Sequence, residues 1–309
     1  MRVVIIGFGV QGKKRKLVAA ESCVATIDPK NSDADFRSLD EVSDDQYDAA
    51  LVCVPDSEKE DLIHRLVEKG KSVLVEKPLT LSTPSAYATL ERLALTRGVT
   101  IYVAYNHRFE PHLVEAKEIL AAGTLGKIYR CNLFYGNGTA ALVRQSPWRD
   151  SGSGVLGDLG SHVLDLLDFW FERDLSDLNL ISAARYENHA PDHAVMSGSQ
   201  YLPDILCEVS MVSWRNYFEA NIIGEQGSLH VRSLCKWSES ELIVRTRVLP
   251  SGEPSETRKV VPKGDPTWQR EFQHFANLFA LRHATDLQKD FRINVALSRL
   301  AVQAERGPA

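Results

Sequence analysis

Three ionisable side chains stand at spacings that can move a proton in the segment "GVLGDLGSHVLDLLDFW": Asp158, His162 four residues on, and Asp165 seven residues on. On a helix those offsets place all three on one face of an otherwise apolar segment. A carboxylate one turn from an imidazole fixes the ring and raises its basicity, which suits a proton relay. The plainer alternative is a helix that starts at Asp158 and buries a satisfied core histidine. No metal site is expected, because two groups at helical spacing lack a third ligand and no His-x-His or Cys cluster supplies one. A further candidate is Lys77 in "SVLVEKPL", where an apolar strand runs into Glu76, Lys77 and Pro78. A strand such as Val73–Val75 suits a sheet buried on both faces, which tolerates charge only at its end. Pro78 holds Lys77 in an extended or turn conformation, so its amine is aimed into a crevice.

A nucleotide is implied by "VVIIGFGVQG", in which Gly7, Gly9 and Gly12 follow an apolar strand at the dinucleotide spacing, with Val10 and Gln11 inside the same loop. The first glycine permits the tight turn, the second lets the backbone approach a pyrophosphate, and the third lets helix and strand pack closely. Asp28 ends the next strand, "VATIDPK", where an acid can bind the adenosine ribose hydroxyls. The bland alternative is a glycine turn with a surface aspartate. A carboxylate there repels a ribose 2′-phosphate, which favours NAD, while Lys30 and the basic run Lys13–Lys16 keep NADP open. That run, "KKRK", opposes the dipole of the helix it opens unless an anion binds there. It reads either as a solvated helix face or as a contact to cofactor or substrate phosphates.

These residues need elements to carry them. Short β-rich runs at Arg2–Ile6, Val24–Ile27, Ala49–Val54, Ser72–Val75 and Thr100–Ala104 alternate with helical stretches, clearest at Lys59–Lys69 and Pro84–Arg97, which predicts right-handed βαβ units on a parallel sheet. After a helix at about Pro111–Ala122, the runs Lys127–Tyr135, Asp204–Ser213, Tyr217–Ile223 and Leu242–Val248 alternate as half-exposed antiparallel strands do. The fold class expected is an α/β Rossmann dinucleotide-binding domain over residues 1–120, then an α+β domain with a large, mostly antiparallel sheet over 121–309. Two helical stretches, Pro266–His283 and Phe291–Glu305, end the chain and are expected to pack back on the first domain. A length of 309 residues suits two such domains, and 44% hydrophobic with 25% charged residues is an ordinary globular composition.

No apolar run approaches the roughly 18 residues of a membrane span, and "MRVVIIGFG" enters a strand without a signal-peptide pattern, so a cytoplasmic protein with no membrane partner is expected. Cys23, Cys53, Cys131, Cys207 and Cys235 are scattered and read as reduced packing residues. A formal net charge of -5 argues against a broad nucleic-acid surface and for a small-molecule partner.

The ordered series Gly7-x-Gly9-x-x-Gly12, Asp28, "VCVPD", "VLVEKPL", "YNHRF", "GTLGKI", "PWRD" and "GDLGSHVLD" resembles the Gfo/Idh/MocA oxidoreductases over about the first 170 residues. The resemblance implies that Lys77 faces the nicotinamide and the substrate, that the Lys77–Pro78 peptide is cis, and that a second-domain helix brings Asp158 and His162 over the same cleft. His162 is then the base for a hydroxyl proton, Lys77 the cation on the reacting oxygen, and Asp158 the group holding the imidazole. It also implies that Pro55 and Glu76 lie near the cofactor, that Asn106, His107 and Arg108 line the cleft, and that Trp148 and Arg149 border the substrate mouth. The family's usual asparagine and histidine after the third strand are replaced here by Asp56 and Lys59, so that motif's contacts to the nicotinamide ribose are not carried over. The function implied is an NAD(P)-dependent dehydrogenase for a sugar, cyclitol or nucleotide sugar, built as a homodimer or homotetramer. The alternative is a cofactor-binding sensor that keeps the fold without turnover.

Overall fold

The computed structural model describes residues 1–306. The chain forms two compact units: Met1–Asn106 with Trp268–Asn294, and His107–Thr267 with the residues from Val295 on. Residues 307–309 of the expected second domain lie outside the described residues.

The first unit is built on five parallel strands, β1 (Val3–Ile6), β2 (Cys23–Ile27), β3 (Ala49–Val52), β4 (Ser72–Glu76) and β5 (Ile101–Ala104), in the order β2-β1-β3-β4-β5. Every residue of β1 and β3, and Ser72–Val75 of β4, is buried, as a sheet covered on both faces requires. Helix α1 (Val10–Ala19) follows β1, α2 (Asp56–Glu68) follows β3, and α3 (Pro84–Arg97) follows β4. No helix joins β2 to β3; a loop with one 3-10 turn, Leu39–Glu41, does so, capped by Ser38 and Glu41. Helix α7 (Thr267–Ala280) joins this unit from Trp268, and its Phe272 and Phe275 share the core with Val3, Ile5, Leu51 and Leu74.

The second unit holds an eight-stranded sheet: β6 (Ile128–Gly136), β7 (Asn179–Ala184), β8 (His193–Gly198), β9 (Asp204–Ser210), β10 (Tyr217–Gly224), β11 (Gly227–Arg232), β12 (Ser240–Thr246) and β13 (Ser255–Val261). The order is β13-β12-β11-β10-β6-β9-β8-β7, antiparallel throughout except between β6 and β9. Along β10 the buried residues Phe218, Ala220 and Ile222 alternate with half-exposed ones, the period-2 pattern of a sheet with one covered face. Helices α4 (Pro111–Ala121) and α5 (Ala140–Arg144) precede a π turn, Leu156–Gly160, that runs into α6 (Ser161–Phe171). Val163, Leu164, Leu166 and Leu167 leave α6 no solvent face between them, so it is buried nearly all round. The last helix, α8 (Gln288–Arg306), belongs to the first unit as far as Asn294 and to this one from Val295 on, where Arg299 donates to the Leu175 and Leu178 carbonyls at 2.6 and 3.1 Å.

The boundary between the units falls after Asn106, not after residue 120. Helix α4 belongs to the second unit: His112 Nδ1 pairs with Ser240 Oγ at 2.9 Å, and Trp170 Nε1 donates to the Leu113 carbonyl at 3.0 Å. In sequence α4 looks like one more helix of the βα series, and nothing local marks its partners as lying more than 50 residues downstream.

Candidate active site

In the first unit a cavity of about 760 Å³ opens at the glycine turn, lined by Gly7, Gly9, Ile27–Asn31, Arg37–Leu39, Cys53–Pro55 and the near face of α2 at Ser57, Glu58, Asp61, Leu62 and Arg65. Gly7 adopts φ +90°, and a Cβ there would lie 2.5 Å from the Cys53 carbonyl oxygen. A Cβ on Gly12 would lie 2.0 Å from the Gly7 oxygen, whereas one on Gly9 would meet no protein atom within 4 Å. The three glycines thus divide the work as their spacing suggests, with Gly9 leaving the backbone open to the cavity. Helix α1 starts at the neighbouring Val10 and Gln11 without a side-chain cap or an acidic residue in its first turn. Its first N–H groups suit an anion such as a pyrophosphate.

Asp28 does more than its position suggested. Its carboxylate accepts the Phe8 N–H on Oδ2 at 2.8 Å and the Lys30 and Asn31 N–H groups on Oδ1 at 2.8 and 2.9 Å. Burial works against its charge, but those three donors hold its carboxyl below the ordinary aspartate value. Of about four acceptor positions on a carboxylate, one is left on Oδ2, enough for a single ribose hydroxyl. Asn31, which no motif singled out, donates its side-chain amide to the Phe8 carbonyl at 2.6 Å, so the turn is gripped on both sides of Phe8.

The basic run resolves into two roles. Lys13 pairs with Asp33 at 2.9 Å, Lys14 stands 5.2 Å from the Trp268 ring and Lys16 5.2 Å from the Phe8 ring, all three exposed. Arg15 is 1% exposed; it pairs with Glu76 and Glu271 at 2.7 Å each and lies over the Trp268 ring. Burial lowers its proton affinity, and the two carboxylates more than restore it, raising its pKa above the ordinary arginine value. None of the four lines the cavity. Arg15 therefore fastens Glu76, at the end of β4, to α1 and α7. Lys77 follows Glu76, is half-buried, and forms a cis peptide with Pro78. Lys59, on the first turns of α2, is buried with its amine between the Glu76 and Pro78 carbonyls at 2.6 and 2.7 Å and Asp56 at 2.6 Å. Pro55 lines the cavity just before α2 begins, and Asn106 is buried after β5.

In the second unit His162 is 8% exposed, and its ring stacks on His107 with centroids 4.0 Å apart and planes 19° from parallel. Tyr135 presents its edge to both imidazoles, 5.2 Å from His107 and 6.1 Å from His162, and stacks on Trp237 at 5.7 Å. Burial first, and the charge of Asp158 second, push the Tyr135 hydroxyl far above the ordinary tyrosine value. Lys236 Nζ pairs with His107 Nε2 at 2.5 Å. Asp158, in the π turn, has its Oδ2 3.5 Å from Arg149 Nη2. Asp165 is buried and takes the Arg108 Nε at 2.8 Å, with Asp168 at 3.4 Å from Arg108 Nη2. Trp148 is 66% exposed. Tyr135, Lys236 and Trp237 were not picked out in the sequence, because their partners stand on other elements of the chain and leave no local spacing to read.

Residues 1–105 match the family described as "Oxidoreductase family, NAD-binding Rossmann fold", and residues 113–230 match the GFO/IDH/MocA C-terminal domain. Among curated proteins, the chain is 38% identical over 203 residues to scyllo-inositol 2-dehydrogenase (NAD(+)) of Bacillus subtilis, 62% of this chain and 57% of that protein. It is 29% identical over 163 residues to glucose-6-phosphate 3-dehydrogenase of the same organism, 50% of this chain and 44% of that protein. The matched region thus spans about half the length of these relatives. Among solved structures, levoglucosan dehydrogenase in complex with NADH shares the fold with a TM-score of 0.83 at 18% identity, over 99% of this chain and 97% of that one. A glycine turn open at Gly9, an acid at the end of β2 and two family matches that together cover well over half the sequence place this chain in the Gfo/Idh/MocA oxidoreductase family, with an NAD-binding Rossmann domain.

Proposed function

We propose that the protein is an NAD(P)-dependent dehydrogenase that exchanges a hydride with a hydroxyl or keto carbon of a sugar, cyclitol or nucleotide sugar. The observation that supports this most is the turn at Gly9, where the backbone lies bare to the cavity beside the Asp28 carboxylate. The substrate class follows the relatives, which are named for inositol and glucose 6-phosphate. NAD is the preferred cofactor, since a 2′-phosphate would meet the Asp28 charge. A bound nicotinamide supplies the hydride acceptor or donor. His162, buried and stacked on His107, takes the hydroxyl proton as the carbon is oxidised and returns it in reduction. The Lys77 ammonium bonds the reacting oxygen and stabilises the negative charge that develops on it. Asp158 orients the imidazole, and Trp148, Arg149, Asn106 and Arg108 select the substrate.

A fluorescence titration with NADH and NADPH, followed by turnover across a panel of sugars, cyclitols and nucleotide sugars, tests this reading. Lys77→Ala is expected to bind NADH as before and to lose about 100- to 1,000-fold in turnover, the usual cost of one oxyanion donor. Turnover left unchanged by that substitution sinks the role given to Lys77. NADH binding with no turnover across the panel overturns the dehydrogenase.

A further inference from the structure

We infer that Lys59 is a positioning residue for Lys77, holding the end of β4 by the two main-chain carbonyls that bracket it. The inference rests on the role proposed for Lys77. Lys59 is 2% exposed, and its Nζ lies 2.6 Å from the Glu76 carbonyl, 2.7 Å from the Pro78 carbonyl and 2.6 Å from Asp56 Oδ1. All three oxygens only accept, so all three need an N–H, and only the ammonium form has three to give. Burial lowers its pKa, and the Asp56 carboxylate works against that loss.

A buried cation used this way implies something worth holding. Between the two gripped carbonyls lie only the backbone angles of Lys77 and Pro78, and the proline ring already fixes one of them. The Glu76 side chain is fixed as well, by Arg15 at 2.7 Å. Two buried cations therefore hold the residue before Lys77, one by its carboxylate and one by its main chain, and Lys59 also holds the residue after it. With its Cα located this closely, the Lys77 amine reaches the reacting oxygen without a search over backbone states, the entropic advantage of a preorganised group. Lys59 does not line the cavity, although Ser57, Glu58, Asp61 and Leu62 around it do. Cofactor affinity therefore need not depend on it.

The test is a double-mutant cycle in the full-length protein, with Lys59→Met made alone and together with Lys77→Ala. Lys59→Met alone is expected to lower kcat at least 10-fold, with KM for the sugar and the Kd for NADH within about 3-fold of wild type. In the Lys77→Ala background it is expected to lower kcat less than 2-fold, because a residue that acts through Lys77 has nothing left to position. Equal losses in both backgrounds, or no loss in the first, overturn the proposal. If Lys59→Met does not fold, Lys59→Gln, which keeps two N–H donors, is put through the same cycle and judged by the same comparison. If no compound in the panel is turned over, the proposed function fails, and Lys59 is still tested by amide hydrogen exchange. Its loss should speed exchange across Val75–Leu79 at least 10-fold while Gly7–Gly12 stays unchanged; unchanged exchange at Val75–Leu79 overturns the proposal.

Discussion

Asp28 shows how one side chain can serve fold and ligand together. Its three backbone donors keep the carboxyl below the ordinary value of 3.8. A carboxyl depressed in the folded state stabilises the protein fully above its unfolded pKa, and that stabilisation disappears as pH falls through the lower, folded value. Asp28→Asn should therefore cost on the order of 1 kcal/mol at pH 7, moderated by the water that reaches this half-exposed group. The gap between variant and wild type should close as pH drops below about 4. Denaturant midpoints of both proteins at several pH values between 7 and 3 check this, and a gap that stays constant with pH contradicts it. Arg15 teaches the converse lesson about legibility. In "KKRK" nothing distinguishes it from its neighbours, yet it alone is buried, and its partners Glu76 and Glu271 stand far along the chain. The charge was visible in the sequence and its destination was not.

At the scale of elements, the β1–α1 turn allows two outcomes to be separated. Gly9→Ala adds a methyl that meets no protein atom, so the melting temperature should hardly change while NADH binding weakens more than 10-fold, the methyl taking room at the cavity. Gly12→Ala places its methyl 2.0 Å from the Gly7 oxygen, a backbone atom that cannot yield cheaply, so both stability and NADH binding should fall. Thermal melts and NADH titrations of the two variants decide the matter; equal stability loss in both contradicts the division. The elements of the first unit were legible because buried parallel strands are continuous apolar runs and because α3 is marked by Pro84 at its start and by Gly98, at φ 65°, just past its end. The second unit was read less completely. Strand β13, "SETRKVV", is an exposed, charged edge with no alternation to detect, and β7, "NLISAA", is short and rich in small residues. Across the π turn and α6, the spacing of Asp158, His162 and Asp165 could not say that Asp165 pairs with Arg108 or that His162 stacks on His107.

For the whole molecule, every residue lining the cavity lies between Ile6 and Arg65, within the first of the two compact units. A ligand stabilises what it binds by mass action, about 2.7 kcal/mol at 100 times its Kd. That stabilisation should be distributed unevenly along this chain. Saturating NADH is expected to slow sub-global amide exchange in Ile6–Gly12, in Ile27–Leu39 and in Cys53–Arg65. The sheet edges β7 and β13 of the second unit carry none of the lining residues, and their exchange should stay as it was. Asn31 gives the sharpest test within the protected set, because its side chain and that of Asp28 hold the main chain of Phe8 within the glycine turn. Asn31→Ala should therefore reduce the protection at Ile6–Gly12 while leaving Cys53–Arg65 protected. Equal slowing at β7, β13 and the glycine turn would mean that the cofactor acts on global unfolding alone, and the local reading of the cavity would then be wrong.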